Sequence, residues 1–135
     1  VRAQRRIDDA VNRLRLRYTT QRSETIARTE TLRAISIGQD QSVRQLGLTG
    51  DLEKRWQARH GDGRTRHAHL EIEEEWIVYD TPFETPLGPL MFPRDPNGTA
   101  ANTINCRCRM QVRIRPDTVR RLGVPGAVVW MAMAA

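Results

Sequence analysis

Residues 104–115 read "INCRCRMQVRIR", and the fold turns on how they are read. Cys106, Cys108, Met110, Val112 and Ile114 share one parity, while Arg107, Arg109, Gln111, Arg113 and Arg115 share the other. Apolar and polar residues that alternate with period two predict a strand with one buried face. The two cysteines of the chain lie inside this pattern. They are then either small buried hydrophobes on the inner face or metal ligands. In a regular strand their sulfurs would sit about 6.5–7 Å apart. Two sulfurs on one tetrahedral zinc are only about 3.8 Å apart, so shared ligation needs a bend.

Upstream, the pattern changes period. Ile7, Ala10, Val11, Leu14 and Tyr18 follow one helical face, predicting a helix over 2–18. Its other faces carry Arg2, Arg5, Arg6, Arg13, Arg15 and Arg17 against Asp8 and Asp9. A second, longer helix is expected from Thr19 to Gly47, with Thr20 or Ser23 as cap, a break or kink at Gly38 and a stop at Gly47. From Leu48 on, a strand through Trp56, a Gly-Asp-Gly turn and a Pro/Gly-rich stretch of short strands follow, and "PDTVRRLG" begins as a helical turn with Pro at its first position. The expected architecture is one α+β domain over 1–135. Two N-terminal helices (1–47) pack on a small, mostly antiparallel sheet with long Pro/Gly-rich loops (48–115), and a tail follows (116–135).

Composition narrows the classes. Charged residues make up 28% of the 135 and hydrophobic ones 39%, which favours a folded chain. Aromatics are only 5%, leaving the core to aliphatic residues and Met with a few Trp and Phe anchors. The net charge is +6 and rests on arginine, with Lys54 the only lysine. Arginine suits phosphate or an acidic protein partner. The opening residues hold no apolar signal-peptide core, and a start on Val1 reads as a processed chain or an excised piece. Residues 124–135 are apolar but too short to span a bilayer, so no membrane partner is expected.

The candidate chemistry is limited. Cys106, Cys108, His60, Asp62, His67 and His69 are the residues able to take a metal, and zinc is the metal their types suggest. Neither a nucleophile elbow nor a phosphate-binding glycine loop is present, and no small-molecule substrate is implied. An enzymatic alternative, a metal-dependent nuclease or a toxin-type transferase, would use Asp62, His69 and Glu73. A general nucleic-acid-binding module has the charge for its role but lacks stacking aromatics.

Four segments occur in an order that carries more information than any single motif. They are "IARTE" at 26–30, Trp56 followed by Asp62, Arg64, Arg66 and His69, the run Phe83, Pro86, Gly88, Pro93, Asp95 and Pro96, and "NCRC" at 105–108. Together, over about 22–110, they closely resemble the phage Mu F-like minor head proteins, also described as head morphogenesis proteins. One departure is that the acidic "EIEEE" run replaces a glycine expected after the His segment.

The resemblance implies a structural virion component with no catalytic residues. It would be made in the host cytoplasm and placed in the capsid interior or at the portal vertex. Portal and capsid proteins would be its partners, with packaged DNA as a further contact. It also implies that distant segments meet. His69, Cys106 and Cys108, with Asp62 or His60 as fourth ligand, would then hold zinc. The competing arrangement is a metal-free network of Arg28, Glu30, Asp62, Arg64, Arg66 and Asn105. Arg2, Arg5, Arg6, Arg13, Arg17, Arg107 and Arg109 are the candidate contacts to DNA or a partner protein.

Overall fold

The computed structural model describes residues 1–123 and the backbone of Trp130 and Met131. The apolar run at 124–135 and most of the expected tail lie outside the described residues.

The N-terminal region is one helix, α1 (Arg2–Gln45), 44 residues long. The expected division into two helices is corrected by the hydroxyls around residue 20. Thr19 donates to the Arg15 carbonyl at 2.8 Å and Ser23 to the Thr19 carbonyl at 2.9 Å. Both therefore bond back along a continuing helix instead of capping a new one. Gly38 does not break the helix either; its carbonyl accepts from Ser42 Oγ at 2.7 Å. The stop falls at Gly47, which takes φ +67 and donates to the Arg44 carbonyl, the left-handed closure that glycine makes without strain.

The first half of α1 also departs from expectation, because it does not pack on the sheet. Ile7, Val11, Leu14 and Tyr18 are exposed, at 47–70% of their surface. Packing begins later, where Thr29, Ser36 and Val43 are buried at intervals of seven.

The rest is short β structure, and the fold is α+β. A 3-10 turn (Thr49–Asp51) leads into β1 (Leu52–Gln57). Then come α2 (His67–Leu70), β2 (Trp76–Val78), β3 (Phe83–Thr85), β4 (Gly88–Leu90), α3 (Ala100–Thr103), β5 (Arg109–Ile114), α4 (Pro116–Arg121) and β6 (Trp130–Met131). Strands run in the order β2-β1-β5-β6, all antiparallel, and β3-β4 form a separate hairpin. In β1–β5, Leu52 faces Ile114, Lys54 faces Val112 and Trp56 faces Met110.

Period two therefore holds in β5, but the strand starts at Arg109. Asn105, at φ +57, lies in the turn that precedes it, so Cys106 and Cys108 sit in an irregular lead-in. The bend that a shared metal requires is present. Two apolar clusters flank the sheet, one with Trp56, Ala58, Phe83, Leu90 and both cysteines, the other with Val43, Leu52, Tyr79 and Val112.

Lys54 lies between the clusters with no exposed surface. Its Nζ donates to the Met91 carbonyl at 2.7 Å and sits 4.9 Å from the Phe83 ring centre and 5.3 Å from that of Tyr79. Desolvation lowers its pKa from 10.5 to about 8, against the pull of Asp40. The unfolded chain thus holds this proton more tightly. Stability should rise with pH across 8 to 10.5, by about 3 kcal/mol from this group. Tyr79, raised by burial and by Asp40, works the opposite way above pH 10. A comparison with Lys54→Met cancels that effect. Wild type should gain on the variant between pH 7.5 and 10.5 in chemical denaturation, and parallel pH curves would refute the assignment.

Candidate metal centre

His69 belongs to the single helical turn of α2, while the two cysteines come from the lead-in to β5. All three side chains are buried, at 1–2% exposure, and their donor atoms lie within 4.8 Å of one another. His69 Nδ1 is 3.7 Å from Cys106 Sγ and 3.5 Å from Cys108 Sγ. Among the described residues this is the one set of three such donors that converges.

The imidazole is oriented from behind. Asn102 has no exposed surface; its Nδ2 donates to Thr85 Oγ1 at 2.9 Å and to the Gly88 carbonyl at 3.0 Å. Its Oδ1 is thereby turned toward His69 Nε2, 2.8 Å away. That oxygen can only accept, so Nε2 carries the proton and the Nδ1 lone pair points at the sulfurs. The indole of Trp56 closes one side, edge-on to the His69 ring with centroids 4.9 Å apart.

The cysteines are fixed through their backbone. Arg94 Nη1 donates to the Cys106 and Cys108 carbonyls at 3.1 and 2.7 Å, and Nη2 donates to Ser36 Oγ at 2.7 Å. Arg94 is 4% exposed and has no carboxylate partner among the described residues. Burial pushes its pKa down, and the charge of the cysteines opposes that shift. Asn105 ties the same turn to α1, accepting from Arg28 Nη1 at 2.8 Å and donating its backbone N–H to Thr29 Oγ1 at 2.9 Å.

The Cys108 thiol hydrogen-bonds to Cys106 and drives its pKa far down, overcoming burial, with His69 and the Cys108 N–H assisting. Cys108 is driven up in return by that bond and by burial. Zinc ligation takes both as thiolates, so a divalent cation bound here would displace their protons.

Other expected members of the site lie elsewhere. Asp62 is not a donor to this centre; its oxygens take Arg107 Nη1 at 3.0 Å, Arg59 Nε at 3.5 Å and the Arg64 N–H at 3.0 Å. The Arg64 N–H is the main cause of its lowered pKa. His60 pairs with Glu73 and His67 with Glu71, both histidines being exposed. Asp62, His69 and Glu73 do not form a converging set of three donor groups among the described residues. The expected charge network is also divided. Glu30 pairs with Arg33, Arg66 donates to the Ile104 carbonyl, and Arg28 alone reaches Asn105. Arg94 and Asn102 are the supporting residues that sequence patterns did not single out for this centre.

The basic residues divide in the same way. Arg2, Arg5, Arg6, Arg13 and Arg17 are exposed along the free half of α1. Arg109 is exposed, whereas Arg107 is half-buried against Asp62. Arg28, Arg59, Arg107 and Arg109 line a groove of about 560 Å³ between α1 and β5, floored by Leu32, Ile35 and Met110.

Comparison with known proteins adds the family context. A family model described as "Phage Mu protein F like protein" matches residues 3–111. "Uncharacterized protein YqbB" of Bacillus subtilis (strain 168) is 32% identical over 96 residues, which is 67% of this chain and 30% of the relative. The chain thus spans less than a third of that protein's length. No solved structure matches.

Proposed function

We propose, from the premise that this chain belongs to the phage Mu protein F-like family, that it is a structural minor head protein that docks at or near the portal vertex through the free half of α1. The family is one of head morphogenesis, so other virion proteins are its natural partners. The observation that supports a docking role is the uncovered stripe of Ile7, Val11, Leu14 and Tyr18, flanked by arginines. A helix in water ordinarily buries such a stripe. The arginine flanks select an acidic surface on the portal or capsid partner. Like charges along both helices would oppose a parallel pairing of two copies.

Leu14→Glu in the full chain should reduce incorporation into particles at least about tenfold, since one buried leucine contributes 1.5–3 kcal/mol. The thermal midpoint of the sheet region should not move, because Leu14 touches none of it. Unchanged incorporation would refute the docking role.

Packaged DNA is a second contact, suggested by the arginine-lined groove. Four phosphate contacts, one for each of these arginines, would make binding fall roughly a hundredfold between 50 and 200 mM salt. Arg109→Glu should flatten that slope, whereas salt-insensitive binding would exclude the groove as a DNA site.

A further inference from the structure

We propose that His69, Cys106 and Cys108 hold one zinc ion, which clasps α2 to the lead-in of β5, and that a single water completes its coordination. The spacing of the donors is the first argument. A tetrahedral zinc with Zn–S near 2.3 Å and Zn–N near 2.05 Å places nitrogen and sulfur about 3.6 Å apart. The two observed separations are 3.7 and 3.5 Å. Ordinary packing of a histidine against two thiols does not require both sulfurs at that range from one nitrogen.

The histidine tautomer agrees with the spacing. Asn102, held by Thr85 and Gly88, fixes the proton on Nε2 and leaves Nδ1 as a lone pair facing both sulfurs. An outer-shell oxygen behind a ligating imidazole is the usual companion of a metal.

Charge agrees with the geometry. Two thiolates and one zinc sum to zero, so the loaded centre is neutral, as a buried site requires. Arg94 then acts by directing the carbonyls of Cys106 and Cys108 away from the ion, leaving both sulfurs turned inward. Two soft thiolates with one imidazole favour zinc over magnesium or calcium.

Access comes from one side. A crevice of about 10 Å³, bounded by Asp62, Thr65, Arg66 and Asn105, touches all three donors. That is the space one water occupies. The zinc centre does not depend on docking at the portal, so either can fail without the other.

The test is elemental analysis of the full chain, purified without a metal column. It should show about one zinc per chain, falling to near zero in Cys106→Ser. Because Cys106→Ser also removes a residue of the buried core, two further measurements carry the decision. Cobalt added to the intact chelator-stripped protein should give thiolate-to-metal absorption and tetrahedral visible bands. Asn102→Ala, which leaves all three donors in place, should weaken zinc binding by about 10–100-fold. A zinc-free chain with no cobalt–thiolate absorption and an unchanged thermal midpoint in chelator would overturn the proposal. Zinc that persists in both Cys106→Ser and His69→Ala would overturn it too, by placing the metal elsewhere.

Discussion

Arg94→Met should lower the unfolding free energy by about 3–5 kcal/mol in chemical denaturation. The guanidinium serves three buried acceptors at once, the carbonyls of Cys106 and Cys108 and the hydroxyl of Ser36. Methionine fills much of the volume but leaves all three without this donor, at about 1–3 kcal/mol for each buried group. Release of a desolvated charge offsets part of the loss. Arg94→Lys should recover little, because one ammonium cannot span the fork that reaches both carbonyls. Ser36→Ala, which removes one acceptor on α1, should cost only about 1 kcal/mol. Equal losses for Ser36→Ala and Arg94→Met would show that the carbonyl contacts contribute nothing. Arg94 also sits at φ +66, a conformation that a side-chain-bearing residue keeps only where its surroundings impose it.

Trp56→Ala is the second large effect, expected at about 3–5 kcal/mol. Trp56 has no exposed surface and meets Phe83 edge-on at 5.2 Å and His69 at 4.9 Å. It also closes the register opposite Met110. The cavity would open directly beside the imidazole, so the variant should lose zinc affinity along with stability. Trp56→Phe should retain most of both. A Trp56→Ala protein as stable as wild type would show that the cluster around the cysteines does not bear on folding.

The sequence was most informative where one physical pattern acted alone. Alternation over Met110, Val112 and Ile114 marks β5, because the only demand there is one face in and one face out. The same alternation ran on through Cys108 and Cys106 and misled, since the pleat ends at Arg109 and the turn at Asn105 sets the cysteines. Helix periodicity located α1 but not its continuity. Thr19 and Ser23 are as suited to capping as to bonding back, and only the following turns decide between them. The stripe from Ile7 to Tyr18 looked like a core face, because a sequence shows that a face is apolar but not what covers it.

Convergence of His69 with the cysteines was legible through the order of the family motifs, not through spacing. Arg94 and Asn102 left no such mark. A guanidinium that serves backbone carbonyls, and an amide that serves an imidazole, have partners scattered along the chain, and no periodicity announces them.

Burial of Lys54 has a consequence for the chemistry of the surface. It is the only lysine among 135 residues, and it is wholly enclosed. The described exterior therefore carries positive charge without a nucleophilic ε-amine. Reagents that acylate or cross-link primary amines find no lysine on the folded exterior, however basic that exterior is. Lys54 becomes reachable only when the sheet opens, so its rate of acylation follows the opening of the core and makes the residue a built-in clock for unfolding.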